Sequence, residues 1–157
     1  MKISLVTVGK TDVKWVREGL DLYVSRLSHY VPFALDEIPE LKHAASLSRS
    51  QVKEREGELV LRRIKDADEV ILLDERGREM RSVELAAFLE EKISRGGRDL
   101  VFVIGGAYGF SEKVYARADA KLSLSRMTFS HQMVRTIFAE QLYRAFTIIK
   151  GEPYHHE

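Results

Sequence analysis

The chain contains no cysteine. Disulfides, thiolate metal sites and cysteine nucleophiles are therefore excluded. It also lacks an excess of one charge: 25 Lys and Arg stand against 24 Asp and Glu, a net charge of +1. No whole-molecule field draws in nucleic acid, so any polyanionic partner must be met by a local patch. No apolar run approaches the roughly 18–20 residues of a membrane span. Met1–Val8 reads as a strand and has neither the long apolar core nor the small-residue cleavage site of a secretory leader. Internal repeats, low-complexity tracts and linkers are missing as well. A soluble, cytoplasmic chain with no membrane association is expected.

What is present is ordinary for a globular protein: 157 residues, 45% hydrophobic and 31% charged. This is one domain's worth of chain, long enough to bury roughly 70% of its unfolded surface. Lys2–Val8 is a β-branched apolar run closed by Gly9. Asp12 is the expected N-cap of a helix carrying Val16, Leu20, Tyr23 and Leu27. Phe33–Ile38 predicts a second strand, and Glu40–Ser46 a loop. Ser48 or Ser50 caps a helix reaching about Lys65. Glu69–Leu73 predicts a third strand, stopped by Asp74-Glu75-Arg76-Gly77, and Ser82 caps a helix with Leu85, Leu89 and Ile93 on one face. Leu100–Ile104, wholly apolar, predicts a central strand. A short helix after Ser111, a strand over Ala120–Leu124 and a long helix from His131 to about Lys150, stopped by Gly151, complete the chain. Strands alternating with helices predict an α/β fold: an open, mostly parallel sheet with helices on both faces.

Ligands of such sheets bind beyond the carboxyl ends of the strands. Three of these ends carry unusual loops: Leu73–Gly77, Gly105–Phe110 and Ser125–His131. If the three strands are neighbours, the loops meet in one pocket. The glycines at 105, 106 and 109 either let a flat ligand reach backbone N–H groups or simply make a tight turn. They match neither the phosphate loop nor the dinucleotide fingerprint. Ser130 could cap the last helix, and Met127 and Phe129 could be core. Glu140 and Arg144, four residues apart, form either a surface ion pair or a held arginine that receives phosphate. Tyr154-His155-His156 is unsuited to a core, and with no spaced His/Asp/Glu cluster no metal site is expected. Residues 42–65 carry seven Lys/Arg against three Asp/Glu, and residues 66–91 carry nine acids against three bases. Both can be solvated helix faces, or the first can be a phosphate-facing surface.

Four ordered motifs carry a resemblance over the whole chain: Ile104-Gly105-Gly106-x-x-Gly109, Leu122-Ser123-Leu124-Ser125-x-Met127-Thr128-Phe129-x-His131, Glu140-Gln141-Leu142-Tyr143-Arg144-Ala145 and Pro153-Tyr154-His155. Together they resemble the ribosomal RNA large-subunit methyltransferase H family, small SPOUT-type enzymes. The resemblance implies a single SPOUT domain over residues 1–157, with a trefoil knot over about 70–157. It implies S-adenosylmethionine as methyl donor, no metal, and a homodimer that acts on N3 of a pseudouridine in helix 69 of 23S ribosomal RNA within assembled ribosomes. By position, Leu73, Gly105, Gly106, Ser125, Arg126, Met127, Thr128, Phe129 and Ser130 would form the donor pocket. Arg144, supported by Glu140, with Tyr154 and His155, would form the substrate side, the tail of one subunit completing the pocket of the other. His155 is the candidate to assist loss of the N3 proton. The chain departs from the family at Ser130, where proline is usual, and at His156, where Arg or Lys is usual. Two other readings are a SPOUT enzyme with a different RNA target and a non-catalytic ribosome-binding factor. A dinucleotide oxidoreductase using Asp36 or Glu37 is disfavoured, because no glycine fingerprint follows the first strand.

Overall fold

The computed structural model describes residues 1–156. Its strands are β1 (Ile3–Val8), β2 (Phe33–Ile38), β3 (Glu69–Glu79), β4 (Leu100–Ile104) and β5 (Ala120–Ser123). They form one sheet in the order β2-β1-β4-β3-β5, with every pairing parallel. The helices are α1 (Lys14–Leu27), α2 (Arg49–Arg62), α3 (Ser82–Ser94), α4 (Glu112–Arg117) and α5 (Met133–Ile149), with a 3₁₀ turn at Ala44–Ser46 in the expected loop.

Strand alternation places a core on each face. Ile3, Leu5, Leu100, Phe102 and Ile104 point to one side, where they pack with Leu27, Leu89, Phe138 and Leu142 from α1, α3 and α5. Val6, Val8, Val101 and Val103 point to the other, against Val60 of α2 and Val114 of α4. This two-sided burial is why β4 reads as an unbroken apolar run and sits at the centre of the sheet.

Several boundaries differ from the sequence reading, each for a physical reason. The N-cap of α1 is Val13, without a side-chain cap; the Asp12 amide instead donates to Gln132 Oε1 at 3.0 Å. Arg81, not Ser82, precedes α3: its amide donates to Glu84 Oε2 at 2.7 Å, and the Ser82 hydroxyl donates to Gln141 Oε1 at 2.7 Å. Of the two serines offered for α2, Ser48 is the cap, accepting from the Gln51 amide in a reciprocal capping box. That helix ends at Arg62, β5 ends at Ser123, and α5 begins at Met133.

The largest difference is in β3. It does not stop at Leu73 but continues to Glu79, resuming its pairing with β5 at Arg78–Leu122 after a register break. Gly77 lies so close to β5 that a Cβ there would stand 2.6 Å from the Lys121 carbonyl carbon.

The start of α5 is tied to the end of β1 by a wholly buried guanidinium. Arg135 has 0% exposure. Its Nη1 donates to the Gly9 carbonyl at 2.9 Å and to Thr11 Oγ1 at 2.8 Å, its Nη2 to the Val8 carbonyl at 2.8 Å, and its Nε to the His131 carbonyl at 2.9 Å. Glu37, at 3.6 Å, supplies the opposite charge. Arg135→Met leaves these carbonyls without their donor and is expected to cost about 3–5 kcal/mol, the range for breaking a buried charge network. Equilibrium urea unfolding measures the loss. Arg135→Lys should restore only part of it, since an ammonium cannot reproduce the planar fork.

Candidate functional site

Because β5, β3 and β4 are neighbours, the loops at their carboxyl ends open on one another. They enclose a cleft of about 690 Å³, within the ordinary range for a small-molecule site. Leu73, Gly105, Gly106, Ser125, Met127, Thr128, Phe129 and Ser130 all line it. Arg126 does not: it is exposed and its Nε donates to Glu79 Oε1 at 2.8 Å. The structure also places around the cleft Asp74 and Arg76 from the expected Leu73–Gly77 loop, Arg49 and Lys53 from the basic stretch 42–65, and Tyr115, to which no motif pointed.

The walls are shaped largely by backbone. Gly109 has φ +84°, where a side chain is strained, and its amide donates to the Gly106 carbonyl at 3.1 Å to close the loop. At Gly106 a Cβ would lie 2.7 Å from Glu56 Oε1. Ser125 Oγ accepts from the Met127 amide at 3.0 Å. Ser130 Oγ accepts from the amides of Gln132 and Met133 at 3.2 and 3.3 Å, which fixes the turn before α5, although the N-cap position is Gln132 and not Ser130.

One wall is a polar network. The Tyr115 hydroxyl donates to Asp74 Oδ2 at 2.5 Å, while Arg76 Nη2 donates to that hydroxyl at 2.7 Å and the Arg76 amide donates to Asp74 Oδ1 at 2.9 Å. Burial acts to raise the Asp74 carboxyl, but the bonds from Tyr115 and Arg76 outweigh it and hold the group below its ordinary value. Asp74 is therefore a fixed anion beside the cleft, and it anchors the first residues of the β3 extension. Tyr115 lies on a short helix with no motif of its own, so only its spatial neighbour reveals it.

The four tail-side residues are also brought together, but elsewhere. Arg144 Nε donates to Glu140 Oε1 at 2.9 Å, its Nη1 meets His155 Nδ1 at 3.1 Å, and its guanidinium lies 4.8 Å from the centre of the Tyr154 ring. Arginine can only donate, so Nδ1 is the acceptor and the neutral imidazole carries its proton on Nε2. Burial and a hydrogen bond with Tyr23 push the Tyr154 phenol up to about 12, so it stays protonated at neutral pH. His156 is exposed.

This cluster stands far from the cleft of its own chain. From Val134, which lines the cleft, to Arg144 is ten residues of helix, about 15 Å. The tail is held at the opposite, amino-terminal edge of the sheet, where the Tyr30 hydroxyl donates to Glu152 Oε2 at 2.6 Å. Among the described residues, no group of three His, Asp or Glu side chains could hold a metal ion.

Comparison with known proteins defines the class. The chain matches the family described as "Predicted SPOUT methyltransferase" over residues 1–155, and it belongs to that family. It is 52% identical over 157 residues to the Ribosomal RNA large subunit methyltransferase H of Parabacteroides distasonis and 53% identical over 157 residues to that of Flavobacterium johnsoniae, each match covering all of both chains. Among solved structures it resembles "The structure of a probable methylase family protein from Haemophilus influenzae Rd KW20", with a TM-score of 0.54 and 12% identity over 99% of this chain and 70% of that one. That last likeness is one of fold.

Glu56 lies in α2 beneath the glycine loop. Its Oε1 is buried without a hydrogen-bond partner, and burial pushes its carboxyl up. A raised folded value means that ionisation works against the fold. The penalty is present at neutral pH and disappears as pH falls below the ordinary glutamate value of about 4.3. Glu56→Gln is thus expected to raise Tm by about 2–4 °C at pH 7–8, the shift that about 1 kcal/mol produces in a chain of this size. Calorimetric scans should show no such gain below about pH 4.

Proposed function

We propose that this protein is an S-adenosylmethionine-dependent methyltransferase of large-subunit ribosomal RNA. Its proposed target is N3 of a pseudouridine in helix 69 of 23S RNA on assembled ribosomes, and its proposed working form is a homodimer. The observation that carries the reading is the meeting of three strand-end loops in one glycine-lined cleft, in a chain whose full-length relatives bear the name quoted above. The cleft suits the donor: its size is adequate, and Gly105, Gly106 and Gly109 leave backbone open along its wall. Leu73, Gly105, Gly106 and Ser125–Ser130 would hold the donor, largely through backbone groups. The trefoil knot is proposed for about residues 70–157, of which the last lies outside the described residues.

When bound, S-adenosylmethionine supplies an activated methyl group on a sulfonium. What remains for the protein is to align nucleophile and methyl carbon and to exclude water. Arg144, fixed by Glu140 and stacked on Tyr154, is the proposed phosphate anchor. With Nδ1 engaged by Arg144 and Nε2 buried, His155 is the proposed residue that assists loss of the N3 proton, and accepting that proton requires Arg144 to release Nδ1.

A second copy supplies the missing proximity. Trp15 and Leu22 on α1 are 59% and 46% exposed, and Met133 on the adjoining α5 is 38% exposed, an apolar strip suited to an isologous contact. Across such a contact the Arg144 cluster of one protomer reaches the cleft of the other, as it cannot within one chain.

Mixed dimers test this. A protomer with a blocked cleft (Gly106→Trp) and one with a disarmed tail (Arg144→Ala) should each be inactive on ribosomes from a strain lacking the gene. Mixed and reassembled, they should regain about a quarter of wild-type activity, since half the dimers then hold one complete site. No recovery would mean that each chain works alone. In the same assay His155→Ala should lower the rate while leaving donor affinity by calorimetry unchanged. Mass spectrometry of helix 69 from the deletion strain checks the target itself.

A further inference from the structure

Arg49 and Lys53 lie one turn apart on α2, and both line the cleft. Arg49 stacks on Tyr108, the exposed tip of the glycine loop, with its guanidinium 5.3 Å from the ring centre. Among the described residues neither cation forms an ion pair. The other arginines near the cleft are neutralised, Arg76 by Asp74 and Arg126 by Glu79. The segment around α2 is also the most basic of the chain, seven Lys/Arg against three Asp/Glu over residues 42–65. The positive end of the α2 dipole is at this same rim, since the helix begins at Arg49. Tyr108 is 46% exposed, yet it is held by a guanidinium rather than loose in solvent.

Two unpaired cations beside an exposed aromatic ring make a recognisable pairing. It suits a strand that offers phosphates along its backbone and flat bases from its side, and single-stranded RNA is recognised in this way. We propose that Arg49, Lys53 and Tyr108 form the edge on which the RNA strand enters the cleft. The two cations take backbone phosphates, and Tyr108 stacks on a nucleotide flanking the target. This rests on the RNA-methyltransferase reading and extends it, because the three line the cleft on its exposed side and none of them is among the residues given to the donor or to the tail cluster. The competing use of the same cations is to grip the carboxylate of the methyl donor.

The test separates RNA from donor. Binding of a fluorescent helix 69 hairpin is followed by anisotropy over a range of KCl concentrations, and S-adenosylmethionine binding is measured by calorimetry. Arg49→Ala and Lys53→Ala are each expected to weaken hairpin binding and to lower the slope of log K against log salt by about 0.7–1. Tyr108→Ala should weaken it about 5- to 150-fold, with Tyr108→Phe close to wild type. Arg55→Ala, on exposed α2 surface outside the cleft, should change nothing. Donor affinity should be the same in all five variants. Unchanged hairpin binding in the Arg49 and Lys53 variants overturns the proposal, as does a fall in donor affinity with RNA binding intact. Because RNA binding is read without turnover, a wild-type protein that binds RNA through this edge but transfers no methyl group would refute the enzymatic reading and leave the docking edge standing.

Discussion

A guanidinium sealed from water at the top of the sheet governs the rest of the molecule. Arg135 takes its acceptors from the end of β1, from the loop after it and from the residue that leads into α5. A buried cation is costly unless its donors find acceptors. Its presence therefore fixes the backbone at both ends of the arrangement: the Val8–Thr11 turn on one side and His131 on the other. Gln132 repeats the tie, donating to the Lys10 carbonyl at 2.9 Å and accepting from the Asp12 amide at 3.0 Å. The loop 124–131, which forms a wall of the cleft, is thus anchored at its far end by a guanidinium that does not itself line the cleft.

The other walls are fixed in different ways. The glycine loop is shaped by what cannot be there, since a side chain at Gly106 would meet Glu56 and one at Gly105 would stand 3.1 Å from the Phe110 ring. The wall after β3 is set by charge, through Asp74, Tyr115 and Arg76. A single site is consequently held by three kinds of force: a satisfied buried cation, steric exclusion and a hydrogen-bonded anion. The Arg144 cluster is tied by yet another set of contacts, aromatic ones, to Tyr143, whose ring centre lies 4.8 Å from that of Tyr154.

Much of this was readable in the residues. β1 and β4 are runs rich in β-branched and aliphatic residues, and parallel strands buried on both faces demand that composition, whereas the edge strand β2 carries Asp36 and Glu37. The meeting of the three loops was readable only on the condition that β3, β4 and β5 are neighbours, and the sheet order supplies that condition. The continuation of β3 was not readable, because Asp74-Glu75-Arg76-Gly77-Arg78-Glu79 has neither alternation nor apolar content and owes its strand geometry to pairing with β5. Asp12 has the chemistry of a cap but its amide is claimed by Gln132, 120 positions away. The Glu140–Arg144 pair was visible from spacing. Its distance from the cleft was not, since that depends on which edge of the sheet each end of α5 reaches. Arg49 and Lys53 were legible only as part of a basic stretch, and Glu56 and Tyr115 only through neighbours far off in sequence.

The anchoring of the cleft through α5 also sets when the cleft can come into being during synthesis. Chains emerge from the ribosome amino terminus first. The strands and the glycine loop are all translated before the residue whose side chain pins the last wall. Until Arg135 has emerged and docked beside β1, the last wall of the hollow lacks its anchor, and one face of the sheet lacks the cover that Phe138 and Leu142 provide. Completion of the site therefore depends on α5 being free to fold back across the sheet.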